Sequence, residues 1–228
     1  MNQKVWYIFR TPEFNKFLVT MTARAAPPGR PKDLEKRAAL VEAAGRLFCQ
    51  HGFDAVSLEA IAQTAGVSKL TIYSHFGDKE GLFTAAVEAR CTAQLPHGLF
   101  ELPLDLPVAE ALRQIGHGFV DLVYGEDAVQ LMRVMAAQAG QSTRLAQLYY
   151  QAGPKRMLEE MEGFLVTARA RGEIAVDDPR LAAAQFFVLL KGLQHFRILL
   201  GLEPAPTPQT RAAHIEHCVA LFLRAHAR

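Results

Sequence analysis

The sequence predicts an all-α protein, and three observations predict it. Apolar residues recur three and four positions apart along most of the chain, and no run alternates with the period of two that a half-buried strand requires. Gly, Pro, Asp and Ser fall at intervals suited to starting and stopping helices. A pair of short helices hinged at Gly66-Val67 supplies the third observation, within the segment SLEAIAQTAGVSKLTIYSHFGDKEGL (residues 57–82).

From Asp33 to His51 the apolar positions Leu34, Ala38, Val41, Ala44 and Phe48 recur along one helical face. Ser57 is a hydroxyl suited to capping the next helix, on which Leu58, Ile61, Ala62 and Ala65 share a face. Gly66 stands where the chain must turn, and small Ala62 lets a second helix approach closely. Ser68 caps that second helix, which turns Val67, Ile72 and Phe76 inward. Lys69, Leu70, Thr71, Tyr73, Ser74 and His75 are left on its outer and flanking faces, too polar a set for a core. Gly77 ends this helix, and Asp78 caps another through about Arg90, with Leu82, Phe83, Ala86 and Val87 as its apolar positions.

Residues 95–107, LPHGLFELPLDLP, hold three prolines and no helical run, which marks a linker. Beyond it the pattern predicts helices over 108–124, 127–139, 143–151, 154–171, 179–201 and 208–226. Gly153-Pro154 and Asp178-Pro179 read as helix starts, and Gly172 as a stop. The stretch 181–200, LAAAQFFVLLKGLQHFRILL, is apolar nearly all round and must be covered on most sides, while Lys191, His195 and Arg197 argue against a membrane span. Ala212, Ile215, Val219, Phe222 and Leu223 form one stripe on the last helix.

A chain of 228 residues, half of them hydrophobic, is long enough for more than one core and fits a soluble, two-part protein. The formal charge is only +2, and residues 24–90 carry nine Lys/Arg against eight Asp/Glu, so no broad basic field advertises nucleic acid. Any recognition must rest on local geometry. Cys49, Cys91 and Cys218 form no CxxC or metal-like spacing, which suits inert buried thiols in a reducing compartment. Val5–Phe9 is too short for a signal peptide or a membrane span, and Met21 is an alternative start. Thr22–Lys32, TARAAPPGRPK, is a flexible arm holding Arg24, Arg30 and Lys32, suited either to the minor groove of DNA or to a solvated tail.

The outer face of the second short helix has the chemistry of a groove reader. Lys69 offers a charge and three donors to phosphate or to guanine, Thr71 a hydroxyl and a methyl, and Tyr73 a hydroxyl on a stiff ring. The helix near Asp33–His51 and the residues His51-Gly52-Phe53, Ser57-Leu58-x-x-Ile61-Ala62, Gly66-Val67-Ser68-Lys69, Tyr73-x-His75-Phe76 and Lys79-Glu80-x-Leu82 resemble the N-terminal domain of the TetR/AcrR family of transcriptional regulators. About 60 residues carry the resemblance, far more than a lone helix-turn-helix match.

The resemblance implies that Lys69, Leu70 and Thr71 touch bases at the start of a recognition helix, and that Ser57, Thr64, Ser68, Tyr73, His75 and Lys79 bind phosphates. Leu70 departs towards greasiness at a place often small or polar, which suits a thymine methyl. For His75, packing between helices is the plainer alternative. The resemblance further implies three parts: an extension and basic arm over 1–32, a three-helix helix-turn-helix domain over 33–78, and a helical effector-binding and dimerisation domain over 79–228. It implies a cytoplasmic homodimer, its last two long helices paired with their twins, reading a palindrome in double-stranded DNA.

Phe119, Met132, Met135, Tyr149, Tyr150, Met157, Phe164, Phe186 and Phe187 are bulky, adaptable groups able to line a cavity for a small lipophilic effector, and equally able to form ordinary core. The stretches 133–157 and 171–187 resemble, more loosely, the sensing domains of family members linked to efflux or exported-product control.

The rival reading is an all-α carrier or enzyme with a vestigial helix-turn-helix. His214 and His217, with His195 or His117, lack a third converging ligand pattern such as HExxH, so no metal is expected. No GxSxG, P-loop or GxGxxG occurs in a fitting context, and nothing in the chain calls for a cofactor or a catalytic residue. Glu159, Glu160 and Glu162 read as a solvated helix face.

Overall fold

The computed structural model describes residues 30–103, 105–138 and 143–227. Met21 and most of the arm at Thr22–Lys32 lie outside the described residues. Two compact units divide after Ala38. The first is described through the opening turns of helix α1 (Arg30–His51), where Leu34 is exposed. The second, from Ala39, holds every other element.

Helix α1 begins three residues before Asp33, with Pro31 in its first turn, where a missing N–H breaks no helical bond. Its buried stripe is Leu40, Ala43, Ala44 and Phe48, so the expected face through Leu34, Ala38 and Val41 is corrected. Leu40 sits one position, and hence about 100°, from Val41, and the stripe follows the spacing of Leu40, Ala44 and Phe48.

Helices α2 (Leu58–Ala65) and α3 (Lys69–Phe76) follow, then α4 (Lys79–Gln94). Phe48, Phe53 and Phe83 meet pairwise with ring centroids 5.4–5.5 Å apart, joining α1, the loop after it and α4 in one aromatic cluster. The α4 helix outruns its expected end at Arg90 by about a turn. No breaker intervenes before Pro96, whose ring disfavours helical conformation in the residue before it. The three-proline linker then carries a 3-10 turn, His97–Leu99, and buries Phe100 and Leu102.

The remaining helices are α5 (Val108–Val123), α6 (Glu126–Gln138), α7 (Thr143–Ala152), α8 (Pro154–Ala170), α9 (Pro179–Leu199) and α10 (Pro208–Ala225). Among the described residues these boundaries lie within two residues of those expected, and at two starts a side-chain cap fixes them. Asp178 accepts from Leu181 N at 3.0 Å and Thr207 from Thr210 N at 3.2 Å, each followed by a proline in the first turn. The chain is all-helical among the described residues.

One element departs from expectation. The apolar run at 181–200 is broken at Gly192, whose φ of 58° and ψ of 174° are open to glycine but not to residues with a Cβ. The carbonyls next to the break are taken up by side chains from elsewhere. Tyr124 Oη donates to Lys191 O at 2.8 Å, His214 Nε2 meets Leu190 O at 3.0 Å, and Cys218 Sγ lies 3.5 Å from Leu189 O. His195, one turn further on, is 3% exposed and stacks edge-on against Tyr124 at 5.5 Å. Burial, aided by the Lys191 charge and opposed by the Val123 carbonyl, pushes its imidazole down to about 4.

Candidate nucleic-acid interface

Each of the two short helices is fixed at both ends. Ser57 Oγ accepts from Ala60 N at 3.1 Å to open α2, and Gly66 closes it in the left-handed region at φ 67°. Val67 N then returns to Ala62 O at 3.0 Å, which turns the chain within three residues. Ser68 Oγ accepts from Thr71 N at 3.3 Å, so α3 starts at Lys69 with its apolar residue Ile72 fully buried. Gly77 ends α3 at φ 78°, and Asp78 starts α4 by accepting from Gly81 N at 2.7 Å.

This geometry sorts the outer face of α3. Leu70 is 74% exposed and Tyr73 45% exposed, so both present apolar surface to solvent. Lys69 is half-exposed, with its ammonium paired to Glu59 on α2 and 5.8 Å from the centre of the Tyr73 ring. The Thr71 hydroxyl meets Ser68 Oγ at 2.9 Å and the Ser74 hydroxyl donates to Thr71 O at 2.9 Å, so both are anchored to the start of the helix. Base-reading candidates Lys69, Leu70 and Thr71 thus occupy the first turn of α3, beside Tyr73.

The phosphate candidates fall into two groups. Ser57 and Ser68 are exposed and act as helix caps, and the Thr64 hydroxyl donates to Ala60 O at 2.8 Å within its own helix. His75 is half-buried, with its ring centre 5.9 Å from that of its chain neighbour Phe76. Lys79 lies over the Phe53 ring at 4.5 Å and donates to Asp54 O at 3.4 Å, and partial burial lowers its ammonium's affinity for protons. Glu59, which the sequence did not single out, is the acidic partner that holds Lys69 in place.

Helix α4 follows α3 directly and leads to the helices beyond it. It packs on α3, α5 and α7, and ion pairs tie it along its length. Arg144 of α7 reaches Glu80 Oε2 at 2.8 Å and Arg90 reaches Asp127 of α6 at 2.6 Å. Of the effector candidates, Phe119, Met135, Met157, Phe164, Phe186 and Phe187 sit in the continuous core, Met132 and Tyr149 are half-buried, and Tyr150 stands outside at 47% exposure. Burial pushes the Tyr149 hydroxyl up to about 12. Among the described residues, no cluster of three or more His, Cys, Asp or Glu can hold a metal, and no helix is long and apolar enough to cross a membrane. The cysteines are buried and unbridged.

Two sequence profiles match this chain. "Bacterial regulatory proteins, tetR family" covers residues 40–86 and "AefR-like transcriptional repressor, C-terminal domain" covers residues 110–228, more than half of the chain. The chain belongs to the TetR family. A TetR-family transcriptional regulator from Mesorhizobium loti superposes with a TM-score of 0.70 at 26% identity, over 85% of this chain and 98% of that one. The flavonoid-responsive regulator FrrA is similar at 34% identity, with a TM-score of 0.64, over 84% of this chain and 96% of that one. Among curated relatives, the transcriptional repressor ComR of Escherichia coli K12 is 43% identical over 60 residues, 26% of this chain and 28% of its own length. The chain therefore spans little more than a quarter of the length of that relative.

Proposed function

We propose that this TetR-family protein is a cytoplasmic, ligand-responsive transcriptional repressor that binds a palindromic operator as a homodimer and is released by a small lipophilic molecule. The observation that carries the reading is the capped α3 helix, which presents Lys69, Leu70 and Thr71 on its first turn beside exposed Tyr73. On this reading residues 33–78 are the reader and 79–228 the sensing and dimerisation domain. Lys69, Leu70 and Thr71 read base edges, and Ser57, Thr64, Ser68, Tyr73 and His75 hold phosphates. Lys79 contributes least, since it must leave the Phe53 ring to reach a phosphate.

Dimerisation has support in the exposed apolar residues of α9 and of the segment after it. Leu193, Phe196, Leu200 and Leu202 are each more than half exposed and follow the break at Gly192, while Leu181 and Val188 precede it. A two-fold pairing there suits two recognition helices about 34–36 Å apart. A lipophilic effector has support in the similarity to FrrA, a flavonoid-responsive regulator. Effector bound in the helical domain acts through α4, whose ion pairs to α6 and α7 make it the mechanical link to α3. To swing the protein from 99:1 to 1:99, effector must favour the non-binding arrangement by about 5.5 kcal/mol.

The test is fluorescence anisotropy of labelled DNA from upstream of the protein's own gene, across a salt series with unrelated competitor. The proposal expects tight, competitor-resistant binding, lost on Lys69→Ala. Weak binding that competitor removes, repeated on every DNA tried, would favour a carrier or enzyme with a vestigial reader.

A further inference from the structure

All the buried side-chain nitrogen and oxygen atoms that lack a hydrogen-bond partner among the described residues belong to three side chains: Arg90 of α4, and Arg156 and Glu160 of α8. Buried polar groups are almost always paired, so their concentration at one place calls for a cause. Arg156 Nη1 donates to Thr92 Oγ1 of α4 at 2.8 Å. Its Nε lies 3.4 Å from Glu160 Oε1, an ion pair without hydrogen-bond alignment, and His97 Nδ1 meets the same carboxylate. Arg156 Nη2, Glu160 Oε2 and Arg90 Nε remain without a partner. The Cys91 thiol, pushed up mainly by burial, also feels the charges of Arg156, Arg90, Glu160 and Glu88.

The chemistry of the unpartnered atoms defines what fits. Guanidinium nitrogens only donate and a carboxylate only accepts, so a group that accepts from one and donates to the other satisfies both. The charges already balance, Arg156 against Glu160 and Arg90 against Asp127. A charged ligand would therefore add an uncompensated buried charge, and a neutral hydroxyl adds none. A phenol is favoured over an alcohol, because its more acidic O–H donates more strongly to a carboxylate. Helices α4 and α8 pack closely beside these groups: a Cβ placed on Gly153 would meet Cys91 Sγ at 3.1 Å and Val87 Cγ1 at 3.3 Å.

We propose that Arg156 and Glu160, with Thr92 behind them, form the polar anchor for the hydroxyl of a neutral, lipophilic phenol. This rests on the effector-sensing reading above and narrows its ligand class. Because the anchor joins α8 to α4, a phenol seated there acts directly on the helix that leads to the DNA reader.

The full-length protein, first checked for operator binding without ligand, is titrated calorimetrically with p-hydroxybiphenyl and with its methyl ether, which accepts but cannot donate. The phenol is expected to bind about tenfold or more tightly than the ether. That preference is expected to fall below about threefold in Glu160→Gln and in Arg156→Met, both checked for folding by circular dichroism. Equal affinities, no binding of the phenol, or a preference that survives both substitutions would overturn the assignment. If neither variant folds, the comparison of phenol with ether on the unaltered protein decides alone. Operator binding without ligand is a separate readout, so its failure counts against the regulator reading, whereas failure of the phenol preference counts against the anchor.

Discussion

The Lys69 ammonium on α3 pairs with the Glu59 carboxylate on α2, across the turn of the helix-turn-helix. The pair raises the proton affinity of the lysine and lowers that of the glutamate, so both stay charged through the neutral range. Glu59 thereby holds the lysine in position and, under the proposed function, also competes with DNA for it.

Substituting each partner separates these effects. Lys69→Ala is expected to abolish the distinction between operator and unrelated DNA. Glu59→Gln is expected to strengthen binding to any duplex by about two- to fivefold at low salt while narrowing that distinction, as anisotropy with specific and random duplexes will show.

The break in α9 yields a second prediction. Gly192 has a positive φ of 58°, and a Cβ there would find its nearest neighbour, His214, at a comfortable 3.6 Å. The penalty for Gly192→Ala is thus backbone strain and not crowding, about 1–3 kcal/mol. Thermal unfolding should fall by several degrees, with near-normal helix content by circular dichroism.

Acid sensitivity follows from His195. Its folded-state affinity for protons is depressed to about 4 from an ordinary value of 6.5, so the unfolded chain binds the proton first as pH falls. The stabilisation is full above about pH 6.5 and is lost on descending towards about pH 4, a change of about 2–3 kcal/mol. Melting temperature measured from pH 7.5 to 5 should decline less steeply for His195→Gln than for the unaltered protein.

Helix boundaries were legible in the sequence because Ser57, Ser68, Asp78, Asp178 and Thr207 each bond a backbone N–H three residues on, within reach of a local pattern. The α9 break was not legible, since the groups that satisfy its carbonyls, Tyr124 and His214, come from outside that helix and the apolar run masks the turn. Likewise Glu160 read as part of a solvated acidic face, yet the fold carries it under His97 and Arg156. The roles proposed for Lys79 and Tyr150 changed weight for the same reason: the Phe53 ring beneath Lys79 and the outward turn of Tyr150 are tertiary facts.

The exposed apolar residues beyond the break predict the assembly. Phe196→Glu combined with Leu200→Glu is expected to convert a dimer into a folded monomer by size-exclusion chromatography with light scattering at micromolar concentration. A monomeric unaltered protein under those conditions would remove the dimer from the account.

Selection of duplexes from a random-sequence pool by the purified full-length protein tests the central claim most directly. An enriched inverted repeat with half-site centres about one helical turn apart, absent when Lys69→Ala is used, is the predicted result. No enriched sequence, or the same sequences enriched by both proteins, would contradict it.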